Sequence, residues 1–124
     1  MQSVKRLLRV LRAKQEPRVI HVQVFEDGFK ATSDDGVTRE IKWSEIERIY
    51  TYKVDCFGYD VIWLAFEVPE QDELHIPEDA KGFEILTAAM NQSKPTINPE
   101  WYFEVMQPPF AENLTLLFER KGKA

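Results

Sequence analysis

Near its start the chain carries apolar residues at helical spacing. Val4, Leu7, Leu8 and Leu11 recur at i, i+3, i+4 and i+7, which places them on one face of a helix, with Ser3 as its N-cap. Pro17 ends this segment, because the residue before a proline is pushed out of the helical region. From Arg18 the period changes to two. Ile20, Val22 and Val24 alternate with His21, Gln23 and Phe25, and Asp27-Gly28 supplies a tight turn. Phe29 and Ala31 continue on a second strand, and Asp35-Gly36 marks a second hairpin. Val37, Ile41 and Trp43 share one face of a third strand. Ser44-x-x-Glu47 is spelled like a capping box and predicts a one-turn connection to a fourth strand, Ile46 to Val54.

After a loop containing Gly58 comes the strongest strand signal, Asp60 to Val68. Ile62, Leu64, Phe66 and Val68 face one way, and Val61, Trp63 and Ala65 the other, so this strand is predicted to be central or covered on both faces. Leu74 and Ile76 make a short sixth strand with His75 pointing to the opposite side, which predicts a surface histidine. Pro77-Glu78-Asp79 predicts the start of a helix over 77–91, with proline in its first turn and acids at the positive end of its dipole. Phe83, Leu86 and Met90 form its apolar stripe. Asn98-Pro99-Glu100 repeats that helix-start chemistry, so Trp101 to Met106 reads as a short helix, though its aromatics would also suit a strand, and Leu114 to Phe118 reads as a last strand. Six strands in succession followed by a helix exclude a doubly wound α/β fold, which needs alternation. The pattern predicts an α+β domain over 18–124, built as one curled, mostly antiparallel sheet with a packed helix, preceded by the amphipathic helix of 1–17. Trp43, Ile62, Leu64, Phe66, Phe83, Leu86 and Phe118 are its predicted core.

Charge divides the chain in the same place as the periodicity. Residues 1–18 hold six basic side chains and one acid, a net of +5, whereas 19–119 hold seven basic and 20 acidic, a net of −13. An acidic body repels phosphate backbones, so nucleic acid is not an expected partner. No run approaches the roughly 18 apolar residues of a membrane span. Arg9 and Arg12 interrupt any apolar stretch that could serve as a secretory signal, so the leader is expected to stay on a cytoplasmic protein. The apolar face of Val4, Leu7, Leu8 and Leu11 still has to be buried, on the sheet, on a second subunit or at a membrane surface.

Candidate chemistry is sparse. Lys53, Asp55, Cys56 and Asp60 surround one loop. The two carboxylates could hold a cation or a basic partner with Lys53 orienting them, or they could satisfy the amides of a salt-bridged turn. Cys56 has no histidine near it in sequence to act as a base, and packs as a small hydrophobe instead. Glu78 and Asp79 belong to an acidic stretch that reads as a helix start or as a docking surface for a basic partner. One cysteine and two histidines offer no metal-ligand pattern, and no phosphate loop or catalytic triad ordering occurs, so neither cofactor nor metal is expected.

Glu26-Asp27-Gly28-Phe29 followed by Ile41-Lys42-Trp43-Ser44-Glu45-Ile46 is similar to the small bacterial pleckstrin-homology-like domains, where a Trp-x-x-Ile turn joins two strands of a β-roll. The whole of 18–120 resembles a set of small, uncharacterised bacterial proteins. Further pieces carry that likeness: Tyr52-Lys53-x-Asp55, Asp60-x-Ile62-x-Leu64-x-Phe66, Glu78-Asp79-x-x-Gly82-Phe83 and Pro109-Phe110-x-x-Asn113. The resemblance implies a roll-like fold and brings no activity with it. Together these features predict a non-catalytic cytoplasmic module that binds a protein partner, either another protein or a second copy of itself. The alternatives are a peripheral membrane-surface binder using the leader, or an immunity-type inhibitor of a basic toxin.

Overall fold

The computed structural model describes residues 17–55, 58–107 and 114–121. The leader face of Val4, Leu7, Leu8 and Leu11, and also Cys56, lie outside the described residues. Among the described residues, seven strands form two antiparallel sheets. The first is a meander of β1 (Val19–Val24), β2 (Gly28–Ser33) and β3 (Thr38–Lys42) in that order. The second contains β4 (Arg48–Asp55), β5 (Asp60–Glu67), β6 (Leu74–Pro77) and β7 (Thr115–Glu119), ordered β6-β5-β4-β7. Two helices, α1 (Phe83–Ser93) and α2 (Trp101–Val105), lie between β6 and β7 in the chain.

The strand count agrees with the periodicity, but the single curled sheet it predicted is divided in two. The division lies at the 3-10 turn Trp43–Glu45. Lys42 N–H is capped by Glu45 Oε1 at 2.9 Å and Trp43 N–H donates to Asp27 O at 3.0 Å, which closes the first meander. Trp43 and Ile46 are buried, so the chain crosses the core here, and β4 pairs with β5 and β7 instead of β3. The rings of Trp43 and Phe66 lie 5.2 and 5.0 Å from that of Phe29, joining the two layers.

Two other expectations are corrected. In β1 the register shifts between Val19 and His21, a bulge that turns Val19 and Val22 inward and leaves Ile20 50% exposed. The expected inward face of Ile20, Val22 and Val24 therefore exists only in part. Val37 likewise precedes β3 in an Asx turn, its N–H on Asp35 Oδ1 at 3.0 Å, and is exposed. The helix expected over 77–91 begins at Phe83 instead. Pro77 ends β6 opposite Trp63, and Glu78 N–H still donates to Ile62 O at 2.8 Å. Lys81 then bonds to β1 through Val22 N–H at 2.7 Å and Ile20 O at 3.0 Å, and Gly82, at φ 93°, turns the chain into α1. Sheet pairing on both sides outweighs the local helix-start chemistry of proline and acids.

Phe83, Leu86 and Met90 of α1 are buried against the core, as their spacing predicted, together with Trp101 and Val105 of α2. Six of the seven predicted core residues are buried. The seventh, Phe118, is only partly so and carries Lys94 Nζ 4.6 Å above its ring. The second sheet has two apolar faces. Its inner face bears Ile49, Ile62, Leu64, Phe66 and Ile76, and its outer face Tyr52, Val54, Val61, Trp63 and Ala65. No helix among the described residues is long and apolar enough to cross a membrane.

Candidate functional site

Lys53 faces the core from β4, opposite Ile62, and is 1% exposed. An ammonium group so placed needs partners. Its Nζ donates to Met106 O at 2.8 Å, at the end of α2, and lies 3.7 Å from Asp60 Oδ2. Asp55 faces solvent, and its Oδ1 accepts from Gly58 N–H at 3.2 Å. Lys53 and Asp60 thus pair across a hairpin whose turn Asp55 caps. Lys53 is committed to the short helix behind it.

Glu78 joins the same end of the molecule. Its Oε1 accepts from Ile62 N–H at 2.8 Å and its Oε2 from Tyr102 O–H at 2.5 Å. A helix of five residues has almost no intrinsic stability. α2 is held by Tyr102 on Glu78, by Met106 on Lys53, and by Trp101 and Val105 in the core. Asp79 belongs elsewhere: at the surface, it pairs with Arg18 at 2.6 Å. The five candidate residues therefore form three units, and Asp79 is not part of a site with Glu78.

Burial, followed by the hydrogen bond and charge of Glu78, pushes the Tyr102 phenol up to about 12 from its ordinary 10. The folded chain keeps this proton where the unfolded chain releases it. The contribution to stability is complete below pH 10 and is lost as the pH rises through 12. Tyr102→Phe is accordingly expected to be less stable than wild type by about 1–2 kcal/mol below pH 10. The two stabilities should converge towards pH 12, as checked by urea unfolding of both proteins across that range. A constant difference would show that the phenol proton is not what links the helix to Glu78.

Between α1 and the start of α2 lies a cavity of about 410 Å³. Phe83, Pro99 and Trp101 contribute apolar surface, while Glu78, Glu84, Thr87, Asn91 and Tyr102 contribute polar groups. The Asn91 side-chain oxygen is buried without a hydrogen-bond partner among the described residues. Acceptors therefore predominate, and two of the lining side chains are carboxylates. Such a lining suits a group that brings N–H donors and positive charge, a guanidinium or an ammonium. The helix-start spelling identified Glu78, but not that α2 would return beside it to line an open cavity.

Sequence reasoning also missed a polar chain on the second sheet. His75 was expected at the surface and is 5% exposed. Its Nδ1 is 2.8 Å from Tyr52 Oη, and its Nε2 is 3.3 Å from Glu73 Oε1 without hydrogen-bond alignment. The alternation of β6 placed His75 correctly away from Leu74 and Ile76. That side, however, carries Tyr52, Trp63 and Ala65, which are as buried as the core. Beyond Glu73, burial and a hydrogen bond to that residue push the Glu67 carboxyl up against the pull of Arg48. Arg48 bridges Glu67 at 3.0 Å and Glu119 at 2.9 Å. Among the described residues, no group of three or more His, Cys, Asp or Glu is arranged to hold a metal ion. The chain has no match among protein-family models, curated proteins or solved structures.

Proposed function

We propose that the chain is a non-catalytic, cytoplasmic binding module that takes a basic side chain of a protein partner in the cavity between α1 and α2. The observation that carries this reading is the acceptor-rich lining of that cavity, where a buried Asn91 oxygen lacks a donor among the described residues and the carboxylates of Glu78 and Glu84 share the lining. The net charge of −13 over 19–119 would speed encounter with a basic surface. We extend the same proposal to the pleckstrin-homology-like roll and bacterial kinship. In favour of the roll alone are two antiparallel sheets of three and four strands, with α1 packed on β1. A non-catalytic role is supported by the Tyr52–His75 pair, in which Tyr52 is 0% exposed and offers no atom to a substrate.

The test is titration of isotope-labelled protein with a short arginine-containing peptide, followed by amide chemical shifts. Shifts are expected at Glu84, Thr87, Asn91 and Tyr102, weakening as salt rises. Glu84→Gln should weaken binding about tenfold, because one charge-assisted hydrogen bond is worth about 1.5–3 kcal/mol. An equal response to a glutamate-containing peptide, or shifts confined to other faces, would overturn the proposal.

A further inference from the structure

We propose that the cavity between α1 and α2 discriminates by methylation state and takes the Nε-dimethylated ammonium of a lysine side chain. This rests on the reading that the cavity receives a basic side chain, and narrows it to one chemical form. It begins from the walls. Three of the lining residues are aromatic: Phe83 at the start of α1, and Trp101 and Tyr102 in α2. The Trp101 and Tyr102 rings stand at 76° with their centroids 5.7 Å apart. They form a corner rather than a stack, and rings so placed can each turn a face to the same space. Aromatic faces carry the negative part of the ring quadrupole and attract a cation, most strongly one that is already poorly hydrated.

The walls are fixed before a ligand arrives. Phe83 and Trp101 belong to the main core cluster, and Tyr102 packs against it while its O–H donates to Glu78 Oε2. A cation entering here orders no ring that is not already ordered, which spares entropy that binding otherwise loses. The hydrogen bond to a carboxylate also polarises the phenol towards negative charge, which favours a cation on its ring.

The supply of acceptors sets the methylation state. Both oxygens of Glu78 already accept, from Ile62 N–H and from Tyr102 O–H. Glu84, exposed in the first turn of α1, adds negative charge. Within the lining, the buried acceptor that lacks a donor among the described residues is the Asn91 oxygen. An unmodified ammonium brings three N–H donors, and those turned to the aromatic walls would lose water without gaining a partner. Each methyl group replaces one such donor with a carbon that shares the positive charge and packs on a ring. Dimethylation leaves one N–H for Asn91 Oδ1 and two methyl groups for the walls. Trimethylation would leave that oxygen without a donor, and a guanidinium brings five donors in one plane, more than the lining has free acceptors to meet.

The test titrates the full, isotope-labelled chain with peptides identical except at one residue, which is lysine, dimethyl-lysine, trimethyl-lysine or arginine, and with tetramethylammonium chloride. Amide shifts at Glu84, Thr87, Asn91 and Tyr102 report binding. Dimethyl-lysine is expected to bind about tenfold more tightly than lysine and about fivefold more tightly than trimethyl-lysine. Tyr102→Leu should remove most of the preference over lysine, and Asn91→Ala the preference over trimethyl-lysine. Glu84→Gln should weaken every peptide and leave both preferences in place. Each preference is a ratio of two affinities on one sample, so a smaller folded fraction does not alter it. Lysine or arginine bound as tightly as dimethyl-lysine would overturn the proposal and leave the basic-side-chain reading standing, whereas no shift with any peptide would overturn both. Trimethyl-lysine bound as tightly would overturn the match to one donor. Tetramethylammonium bound as tightly as the dimethyl-lysine peptide would overturn the proposal in favour of a free small cation.

Discussion

Lys53→Ala is expected to lower the stability of the folded chain by about 3 kcal/mol, the range found when one partner of a buried ion pair is removed. The lysine is 1% exposed, and three consequences of its loss coincide. Met106 O loses its donor, the carboxylate of Asp60, only 20% exposed, keeps its charge without the cation 3.7 Å away, and the removed methylenes leave a void beside Ile62. Lys53→Met retains most of the volume and should cost about half as much. Combined with Asp60→Asn, it should recover part of the loss, because neither member of the pair is then a charge without its counterpart. Urea unfolding of the three variants measures these differences. If Lys53→Ala and Lys53→Met cost the same, the side chain acts through its charge alone; if neither costs more than about 0.5 kcal/mol, the buried lysine does not hold α2. Loss of the Met106 anchor should also spread to the cavity, since Trp101 and Tyr102 line it from the same short helix.

Much of this architecture is legible in the chain, and the failures share a cause. Alternation over 60–68 assigned Ile62, Leu64 and Phe66 to one face and Val61, Trp63 and Ala65 to the other, and both faces are buried. The same rule placed His75 on the side of Trp63, but a face opposite Leu74 and Ile76 was equated with water. Periodicity gives the side on which a residue stands. Whether that side is covered depends on chain that packs there from far away in sequence. Pro77-Glu78-Asp79 has every local mark of a helix start, yet Pro77 stands opposite Trp63, Glu78 bonds to Ile62 and the chain leads on to β1 instead, because long-range ladders decide between competing local preferences. Of the candidate site, Lys53, Asp55 and Asp60 were legible because one loop joins them. The association of Glu78 with Tyr102, 24 residues away, and the cavity they share, required the fold.

Gly82→Ala should be among the most damaging single methyl additions in this protein, at about 3–4 kcal/mol and a fall in Tm on the order of 12 °C. Two effects add. At φ 93° a side chain is strained wherever it points, which costs about 1–2 kcal/mol. The new Cβ would also stand 2.2 Å from Val22 O, a backbone atom that cannot rotate away. Relief requires residues 81 and 82 to retreat from β1, which stretches the bonds of Lys81 to Val22 N–H and Ile20 O. Those bonds tie the end of β6 to the first sheet, and α1 starts immediately after them, so the damage reaches the core residues Phe83 and Leu86. Gly36→Ala is the internal comparison. Its φ is 87°, but nothing lies within 4 Å of the added carbon, so only the backbone cost of about 1–2 kcal/mol should appear. Chemical unfolding of the two variants separates strain from collision. Equal losses would mean that the approach of Gly82 to Val22 is not tight in solution, and that the link between the two sheets depends on the Phe29, Trp43 and Phe66 contacts instead.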